Sequence, residues 1–222
     1  MCLIYLNHSI NNHTPLYGGV KEIIISKSTS INDGDTANTI TISIPNHAGT
    51  HIDVPKHFFN DGKTLSDYPA SSWFFQKPQL IDINCNDGQL MMPLDIIPDL
   101  NNDTDILLIR TGYEKYRKNE KYWSKNPGLS AELAKTLRSD FPLLRAVGMD
   151  FISVTSRLHR EEGRQAHREF LGDKYRSDPI VLIEDMSLIK YTNDISKIIV
   201  SPLMIQDADG APCTVIAGNI NI

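Results

Sequence analysis

Short apolar runs recur along the chain and predict a fold rich in β-strands. In residues 39–44, isoleucine at every second position alternates with threonine and serine, a pattern typical of a half-buried strand. Residues 22–25 predict another strand. Four runs rich in β-branched and aliphatic residues are closed by polar residues or glycine and predict fully buried strands: residues 80–83, 106–109, 146–149 and 180–183.

Two segments between these strands predict helices. Ser130 can cap a helix from residue 131 to about residue 138, because its hydroxyl can accept a hydrogen bond from an amide without a partner inside the helix. A second helix is predicted over residues 160–170 and ends at Gly172. Strands outnumber helices and do not alternate with them regularly. We therefore expect a mixed α+β fold that is strand-rich.

The length and charge of the chain bear on its number of domains and on its partners. Its 222 residues fit one domain spanning residues 1–222, because no repeat, low-complexity tract or linker divides them. Lysine and arginine total 22 against 27 aspartates and glutamates, so the formal net charge is −5 and no nucleic-acid partner is expected. No membrane association is expected either, because the apolar runs fall short of the about 18 residues that a span requires.

The cysteines and the N-terminal residues bear on the compartment. There are three cysteines, Cys2, Cys85 and Cys213, too few and too scattered to predict a disulfide framework. The N-terminal residues lack the basic region and the long apolar segment of a signal peptide. We therefore expect a cytoplasmic protein with reduced thiols.

Histidines cluster in one short segment. Three of the seven histidines fall within residues 47–57, in the pattern H-x-G-T-H-x-D-x-P-x-H. His51 and Asp53 are two residues apart, so in extended backbone both side chains point to one face. Gly49 permits a turn that brings His47 back to the same point. The segment therefore predicts a metal site in which two imidazoles and one carboxylate converge.

The residue types in this segment suit a divalent cation. Zn²⁺ is the expected ion, with Mn²⁺ as the alternative if water and further carboxylates complete its coordination. Three protein ligands leave a coordination position open for catalysis. Ordinary loop histidines are the competing interpretation, and the combined spacing favours the metal site. The sequence contains no G-x-S-x-G, G-x-G-x-x-G or P-loop motif, so neither a serine nucleophile nor a nucleotide cofactor is indicated.

The histidine segment resembles the signature of the cyclase family, which includes metal-dependent kynurenine formamidase (arylformamidase) and isatin hydrolase. Later blocks are similar to that family in the same order, so the resemblance extends from about residue 15 to residue 217. These blocks are residues 107–112, 126–130, 147–153, 163–168 and 183–186. The resemblance implies a swivelling β/β/α domain, commonly assembled as a homodimer or a larger homo-oligomer.

The resemblance also implies a set of metal ligands. His47, His51 and Asp53 would hold a first ion. Asp53 would bridge to a second ion where two are bound, and His167 and Glu184 would complete that second site, with Glu184 touching both ions. One or two ions per chain are therefore expected.

Three further residues are candidates for the chemistry. His57 is the candidate proton shuttle, because histidine accepts and donates protons at neutral pH, and orientation of a metal ligand is its alternative role. Tyr17 lies where the family places an aromatic residue in the substrate pocket, and simple packing is its alternative. His159 precedes His167 by eight residues, and substrate contact and surface exposure are equally open for it.

By this resemblance the protein would be an enzyme that hydrolyses a C–N bond in a small molecule: an amide, a formamide or a cyclic amide. A metal-activated water would attack the carbonyl that the ion polarises. Two alternatives stay open. One is a hydrolase or cyclase acting on another small carbonyl substrate, and the other is a catalytically silent binding protein that the metal stabilises.

Overall fold

The computed structural model of the protein describes residues 3–173, 178–192 and 194–219. Within these ranges the strands are β1 (Leu3–Tyr5), β2 (Ile24–Thr29), β3 (Thr39–Ser43), β4 (His51–Asp53), β5 (Phe74–Phe75), β6 (Pro78–Asp82), β7 (Leu90–Met91), β8 (Ile106–Arg110), β9 (Gly128–Leu129), β10 (Ala146–Met149), β11 (Val181–Glu184), β12 (Lys197–Pro202) and β13 (Gly210–Gly218). The α-helices are α1 (Pro93–Ile96), α2 (Lys121–Ser124), α3 (Ala131–Asp140) and α4 (Arg160–Leu171). Short 3₁₀ turns occupy Tyr17–Gly19, Ile31–Asp33, Pro55–His57, Leu65–Asp67, Ala70–Trp73, Ile97–Asp99 and Tyr113–Tyr116.

Nine of these strands form one mixed sheet in the order β5-β12-β13-β4-β11-β10-β8-β6, with β1 paired to β13. Strands β6, β8, β10 and β11 run parallel to one another. The remaining pairs, from β11 with β4 outward to β12 with β5, are antiparallel. Strand β4 therefore lies at the junction between the parallel and the antiparallel halves of the sheet.

Apolar side chains cover both faces of the parallel half. On one face, Leu107, Val147 and Leu182 belong to a core that includes the inner sides of α3 and α4. On the other face, Leu108 and Ile183 pack with β4 and the antiparallel strands. A strand covered on both faces needs apolar residues at successive positions, which explains the unbroken runs in β8, β10 and β11. The strand-rich α+β class is confirmed, and the runs at residues 106–109, 146–149 and 180–183 are fully buried as expected, whereas β6 is partly exposed.

The two long helices lie side by side and follow the predicted bounds closely. Ser130 caps α3 as expected, since its hydroxyl oxygen accepts a hydrogen bond from the Leu133 amide at 3.0 Å. Helix α4 ends at Leu171 and is followed by Gly172, as predicted. Arg138 of α3 is fully buried and donates hydrogen bonds of 2.6–3.0 Å to carbonyls at the C-terminal end of α4. These carbonyls belong to Glu169, Phe170 and Gly172.

Strands β2 and β3 form an antiparallel hairpin whose position differs from the expectation. Strand β2 begins later than the predicted residues 22–25 and extends further. The expected half-burial of residues 39–44 is wrong for β3: every residue is exposed, Ile40 by 60% and Ile42 by 55%. Among the described strands, β2 and β3 pair with each other alone, and the hairpin packs at its base through Ile25 and Ile44. Its alternating pattern therefore has no core to face along most of its length.

Two of the three cysteines and the long helices lie in the described part of the chain. Cys85 and Cys213 are free, and Cys2 lies outside the described residues. In the part of the chain that the structure describes, no helix combines the length and the hydropathy needed to cross a bilayer. The cytoplasmic location and the single domain stay predictions.

Candidate active site

A sharp turn leads the histidine segment into β4. Gly49 has a φ of +65°, in the left-handed region that glycine adopts most readily, and a Cβ there would lie 3.1 Å from Ile10 Cγ1. Strand β4 then directs His51 and Asp53 into the same cavity. The turn returns His47 to this point, with its Nδ1 2.8 Å from Asp53 Oδ1. The structure thus brings together the three side chains singled out in this segment.

Backbone carbonyls orient two of the histidines. His51 Nδ1 donates to the carbonyl of Gly49 at 2.8 Å. His167 Nδ1 donates to the carbonyl of Gly163, one turn earlier in α4, also at 2.8 Å. Gly163 allows α4 to pack closely against Thr155, because a Cβ at position 163 would lie 2.4 Å from Thr155 Cα. Each bond fixes its ring, so that Nε2 is the nitrogen presented to the carboxylates.

Glu184 enters the cluster from the C-terminal end of β11. Its Oε1 accepts hydrogen bonds from the Ser153 hydroxyl at 3.1 Å and from the Val154 amide at 2.7 Å. The next residue, Asp185, adopts a φ of +52°, and Arg117 Nε and Nη2 donate to its two carboxylate oxygens at 2.8 and 2.7 Å. This bidentate pair, in which Asp185 is buried and Arg117 is partly buried, holds the turn and therefore orients Glu184.

Five side chains converge at the base of the cavity: His47, His51, Asp53, His167 and Glu184. Asp53 is 1% exposed, and its Oδ1 faces His51 Nε2 at 3.5 Å while its Oδ2 faces His167 Nε2 at 3.7 Å. Glu184 is placed in the same way, with Oε2 3.4 Å from His51 Nε2 and Oε1 3.4 Å from His167 Nε2. Both carboxylates thus lie between the same two imidazoles.

The chemistry and spacing of these donors fit a divalent cation. Zinc bonds its N and O ligands at about 2.0–2.2 Å, so two ligands of one tetrahedral ion lie about 3.3–3.6 Å apart. The N-to-O separations in the cluster are 2.8–3.7 Å. Among the described residues, two sets of three side chains each bring their ligand atoms within 4.8 Å of one another: His51 with Asp53 and Glu184, and His47 with Asp53 and His57. Asp53 is common to both groups: its Oδ1 faces His47 Nδ1 and His51 Nε2, and its Oδ2 faces His167 Nε2.

In the protein without a cation, protons on the histidines balance the two buried carboxylates. Burial alone would lower the pKa of His47, but hydrogen bonds to Asp209 and Asp53 outweigh burial and raise it to about 10. Against burial, bonds to Asp53 and Glu184 likewise raise the pKa of His167 to about 10. Burial would raise the pKa values of Asp53 and Glu184, yet the facing histidines hold both below their usual range. The cluster therefore strongly favours positive charge at its centre.

Asp209 joins two histidines at the edge of the cluster. Its Oδ2 accepts hydrogen bonds from His47 Nε2 at 3.0 Å and from His57 Nδ1 at 2.8 Å. Its Oδ1 accepts one from Asn46 Nδ2 at 2.7 Å. The two imidazole bonds hold the pKa of Asp209 well below its usual range. Since the Nδ1 proton of His57 points to Asp209, Nε2 is the nitrogen left to exchange a proton.

The cluster opens into a cavity of about 300 Å³. Tyr17, Phe58 and Ile152 form part of its wall, together with Arg160 and Arg164. The Tyr17 hydroxyl is buried and has no hydrogen-bond partner among the described residues. The structure therefore places Tyr17 in the wall of the same cavity as the cluster, with the guanidinium of Arg157 near its ring.

Two residues at the margin of the site can be compared with the sequence analysis, which left substrate contact and surface exposure open for His159 and did not consider Asp209. His159 occupies the N-cap position of α4, where its side chain is exposed, and it is not among the residues that line the cavity. Asp209 was missed, because it lies 152 residues after His57 and no local pattern marks it. The pairing of β13 with β4, which sets Gly210 opposite Asp53, is what delivers Asp209 to the site.

Comparison with known proteins identifies the family to which this fold belongs. Residues 4–156, more than half of the chain, match the family model named Cyclase. A kynurenine formamidase from Bacillus anthracis is 30% identical over 193 residues, which cover 86% of this chain and 83% of that protein. Isatin hydrolase A from Labrenzia aggregata matches with a TM-score of 0.80 at 20% identity, covering 97% of this chain and 93% of that one. A structure described as a predicted metal-dependent hydrolase from Bacillus stearothermophilus matches with a TM-score of 0.76 at 19% identity, covering 97% of each chain. The chain shares the fold of these proteins and belongs to the cyclase family.

Proposed function

We propose that this protein is a metal-dependent hydrolase that cleaves the C–N bond of a small amide or formamide. The observation that carries the proposal is the convergence of three imidazoles and two buried carboxylates at the base of an accessible cavity, beside a fourth imidazole held by Asp209. Relatives named kynurenine formamidase and isatin hydrolase support the same reaction class.

The proposed metal centre uses the whole cluster. We expect His47, His51 and Asp53 to hold one divalent ion, and His167 to hold a second ion that shares Asp53 and Glu184 with the first. Zn²⁺ is the expected ion and Mn²⁺ the alternative, because imidazole and carboxylate donors suit both. A bound ion would supply Lewis acidity, which lowers the pKa of water toward about 7 and polarises a carbonyl.

His57 is proposed to move the proton. Its Nε2 accepts a proton from the water that attacks the carbonyl carbon, and Asp209, 2.8 Å from Nδ1, stabilises the imidazolium that forms. The same nitrogen then protonates the leaving nitrogen as the C–N bond breaks. One water is consumed, and a carboxylic acid and an amine are released.

The cavity wall suits a small aromatic or cyclic substrate. Phe58 and Ile152 supply apolar surface, and the unpartnered Tyr17 hydroxyl can donate a hydrogen bond to a substrate oxygen. N-formylated aromatic amines are therefore the first substrates to test.

Titration of metal into metal-free protein tests the proposal. Zn²⁺ or Mn²⁺ is added while the melting temperature and the hydrolysis of formylated aromatic amines are followed together, and elemental analysis counts the ions per chain. We expect stability and turnover to rise at the same ion stoichiometry. Large stabilisation without turnover, across a panel that includes lactams and other small carbonyl compounds, would favour the silent binding protein instead.

Two substitutions separate metal binding from proton transfer. Asp53→Ala should lose both metal and activity. His57→Ala should keep the metal and lose about 10²- to 10⁴-fold in rate, the usual contribution of a general acid–base. His13→Ala, which removes an exposed histidine, is the control and should change neither. Full activity of His57→Ala would remove its role as shuttle, and loss of metal from that variant would make His57 a ligand.

A further inference from the structure

Two arginines stand in line with a histidine of the cluster on α4. Arg160, Arg164 and His167 occupy positions i, i+4 and i+7, which share one face of a helix, and all three line the cavity. With a rise of about 1.5 Å per residue, the arginines lie about 10 and 5 Å from His167 along the helix axis. Both arginines are exposed, whereas His167 is buried. This row of three side chains therefore runs from the solvent-exposed mouth of the cavity to the cluster.

The positive charge of these arginines is largely available to a ligand. Arg160 forms no ion pair within the described ranges. Arg164 contacts Glu161 through one nitrogen at 3.1 Å, with side chains 46% and 81% exposed, and such exposed pairs contribute little. The acidic groups that line the cavity already have partners: Asp53 and Glu184 face the histidines, and Asp185 is paired with Arg117.

Tyr17 connects the mouth of the cavity to the cluster. The Tyr17 hydroxyl is buried without a hydrogen-bond partner in the described part of the chain, and the guanidinium carbon of Arg157 lies 5.9 Å from the centre of the Tyr17 ring. Phe58 adds an apolar ring to the same wall. A suitable ligand would have three parts. An anionic group would pair with the arginines, an apolar body would pack against the wall, and a carbonyl would reach the cluster.

We propose that Arg160 and Arg164 form an anion-binding subsite that selects substrates carrying a carboxylate or a phosphate group away from the reacting carbonyl. The inference rests on the proposed function, because it names the substrate class of the same cavity. Guanidinium groups suit both anions, since their planar array of donors pairs with two oxygens at once. The separation of the arginines from His167 leaves room for one small ring between the anion and the carbonyl.

Kinetics with matched formamides test the subsite. Formanilide is the neutral substrate, N-formylanthranilate carries a carboxylate, and 2-formamidophenyl phosphate carries a phosphate. We expect the double variant Arg160→Gln/Arg164→Gln to raise KM for at least one anionic substrate by about 10- to 100-fold, as loss of charge-assisted bonds implies. Its kcat for formanilide should stay within about twofold, because neither arginine touches the reacting atoms in this proposal.

A control variant and a binding measurement keep this test independent of the reaction. Lys118→Gln/Lys135→Gln removes the same net charge at two exposed positions outside the cavity lining, and it should leave KM unchanged. Calorimetry on metal-free protein should show benzoate or phenyl phosphate binding that the Arg160→Gln/Arg164→Gln variant loses, with benzamide as the neutral comparison. A wild-type protein that hydrolyses nothing but shows this binding would overturn the proposed function and keep the subsite. Equal KM changes in both variants, or no preference for anions, would overturn the subsite alone.

Discussion

The substitution Asp209→Asn tests how far one carboxylate organises the site. Asp209 Oδ2 accepts hydrogen bonds from His47 and His57, and Oδ1 accepts one from Asn46. Asparagine has the same shape but carries one oxygen and one amino group. Whichever way the amide turns, its amino group faces donors, either that of Asn46 or those of the two imidazoles. The variant therefore cannot accept the hydrogen bond from Asn46 and those from the two imidazoles at the same time.

The expected magnitude follows from the bonds that are lost. A hydrogen bond to a charged group contributes about 1.5–3 kcal/mol. Because the Asp209 side chain is 35% exposed, we count the two imidazole bonds on Oδ2 together as one such contribution. At about 1.36 kcal/mol per factor of ten, kcat/KM should fall about 10- to 150-fold. Metal affinity should fall about 10- to 100-fold, because Asp209 orients His47 from outside the cluster.

Two assays separate these effects. Kinetics at saturating metal report the contribution through His57, and competition with a chelator reports the contribution through His47. Asp207→Asn is the matched control, because Asp207 is exposed in the same loop and its φ of +58° is one that asparagine tolerates. We expect it to match the unmodified protein in both assays. If Asp209→Asn retains more than half of kcat/KM together with unchanged metal affinity, the reasoning from geometry is refuted.

Three further predictions concern the stability of the protein. Arg117→Met should lower the free energy of unfolding by about 3–5 kcal/mol, because it removes the cation that faces the buried carboxylate of Asp185 and leaves the hydrogen bond from the Tyr122 hydroxyl. Urea unfolding measures this loss, and adding Asp185→Asn should recover part of it, whereas no recovery would argue against the charge as the cause. Metal-free protein should lose stability as the pH rises from about 6.5 toward about 10, because His47 and His167 have folded-state pKa values raised to about 10 and contribute their full stabilisation only below the unfolded value. Thermal melts across this range, with metal-loaded protein as the comparison, test that expectation, and a flat metal-free profile contradicts it. Ile40→Thr with Ile42→Thr should change the free energy of unfolding by less than about 0.5 kcal/mol, because both side chains are exposed. Chemical unfolding checks this, a larger loss would mean that the hairpin packs on the core, and sedimentation of the same variant tests whether the hairpin takes part in the expected homo-oligomer.

Features with local causes could be predicted from the sequence. The cap of α3 depends on Ser130 and an amide three residues later, so the chain near residue 130 contains the whole explanation. The turn at Gly49 and the shared face of His51 and Asp53 are equally local, since they need only one flexible residue and a strand period of two. His167 and Glu184 were predicted as metal ligands only from the family resemblance, because the residues around each of them do not form a recognisable metal-binding pattern.

Features that depend on distant partners could not be predicted in this way. The isoleucines of β3 alternate as in a half-buried strand, but burial also requires an element that covers one face, and no described element covers β3. Strand β13 was not assigned, since Gly210 and Pro212 weaken its strand pattern and only its partners β4 and β12 reveal it. Asp209 was missed for the same reason, because β13 carries it to the site.

The shortness of β4 limits how the chain can change in length. Its three residues are held on both edges, with Glu184 opposite His51 on β11 and Gly210 opposite Asp53 on β13. Adding or deleting one residue within β4 would turn subsequent side chains to the other face of the sheet. Such a change would remove several donors at once, while a longer or shorter β2–β3 hairpin would leave them in place. Variation in length should therefore accumulate at the hairpin and be absent between residues 47 and 53.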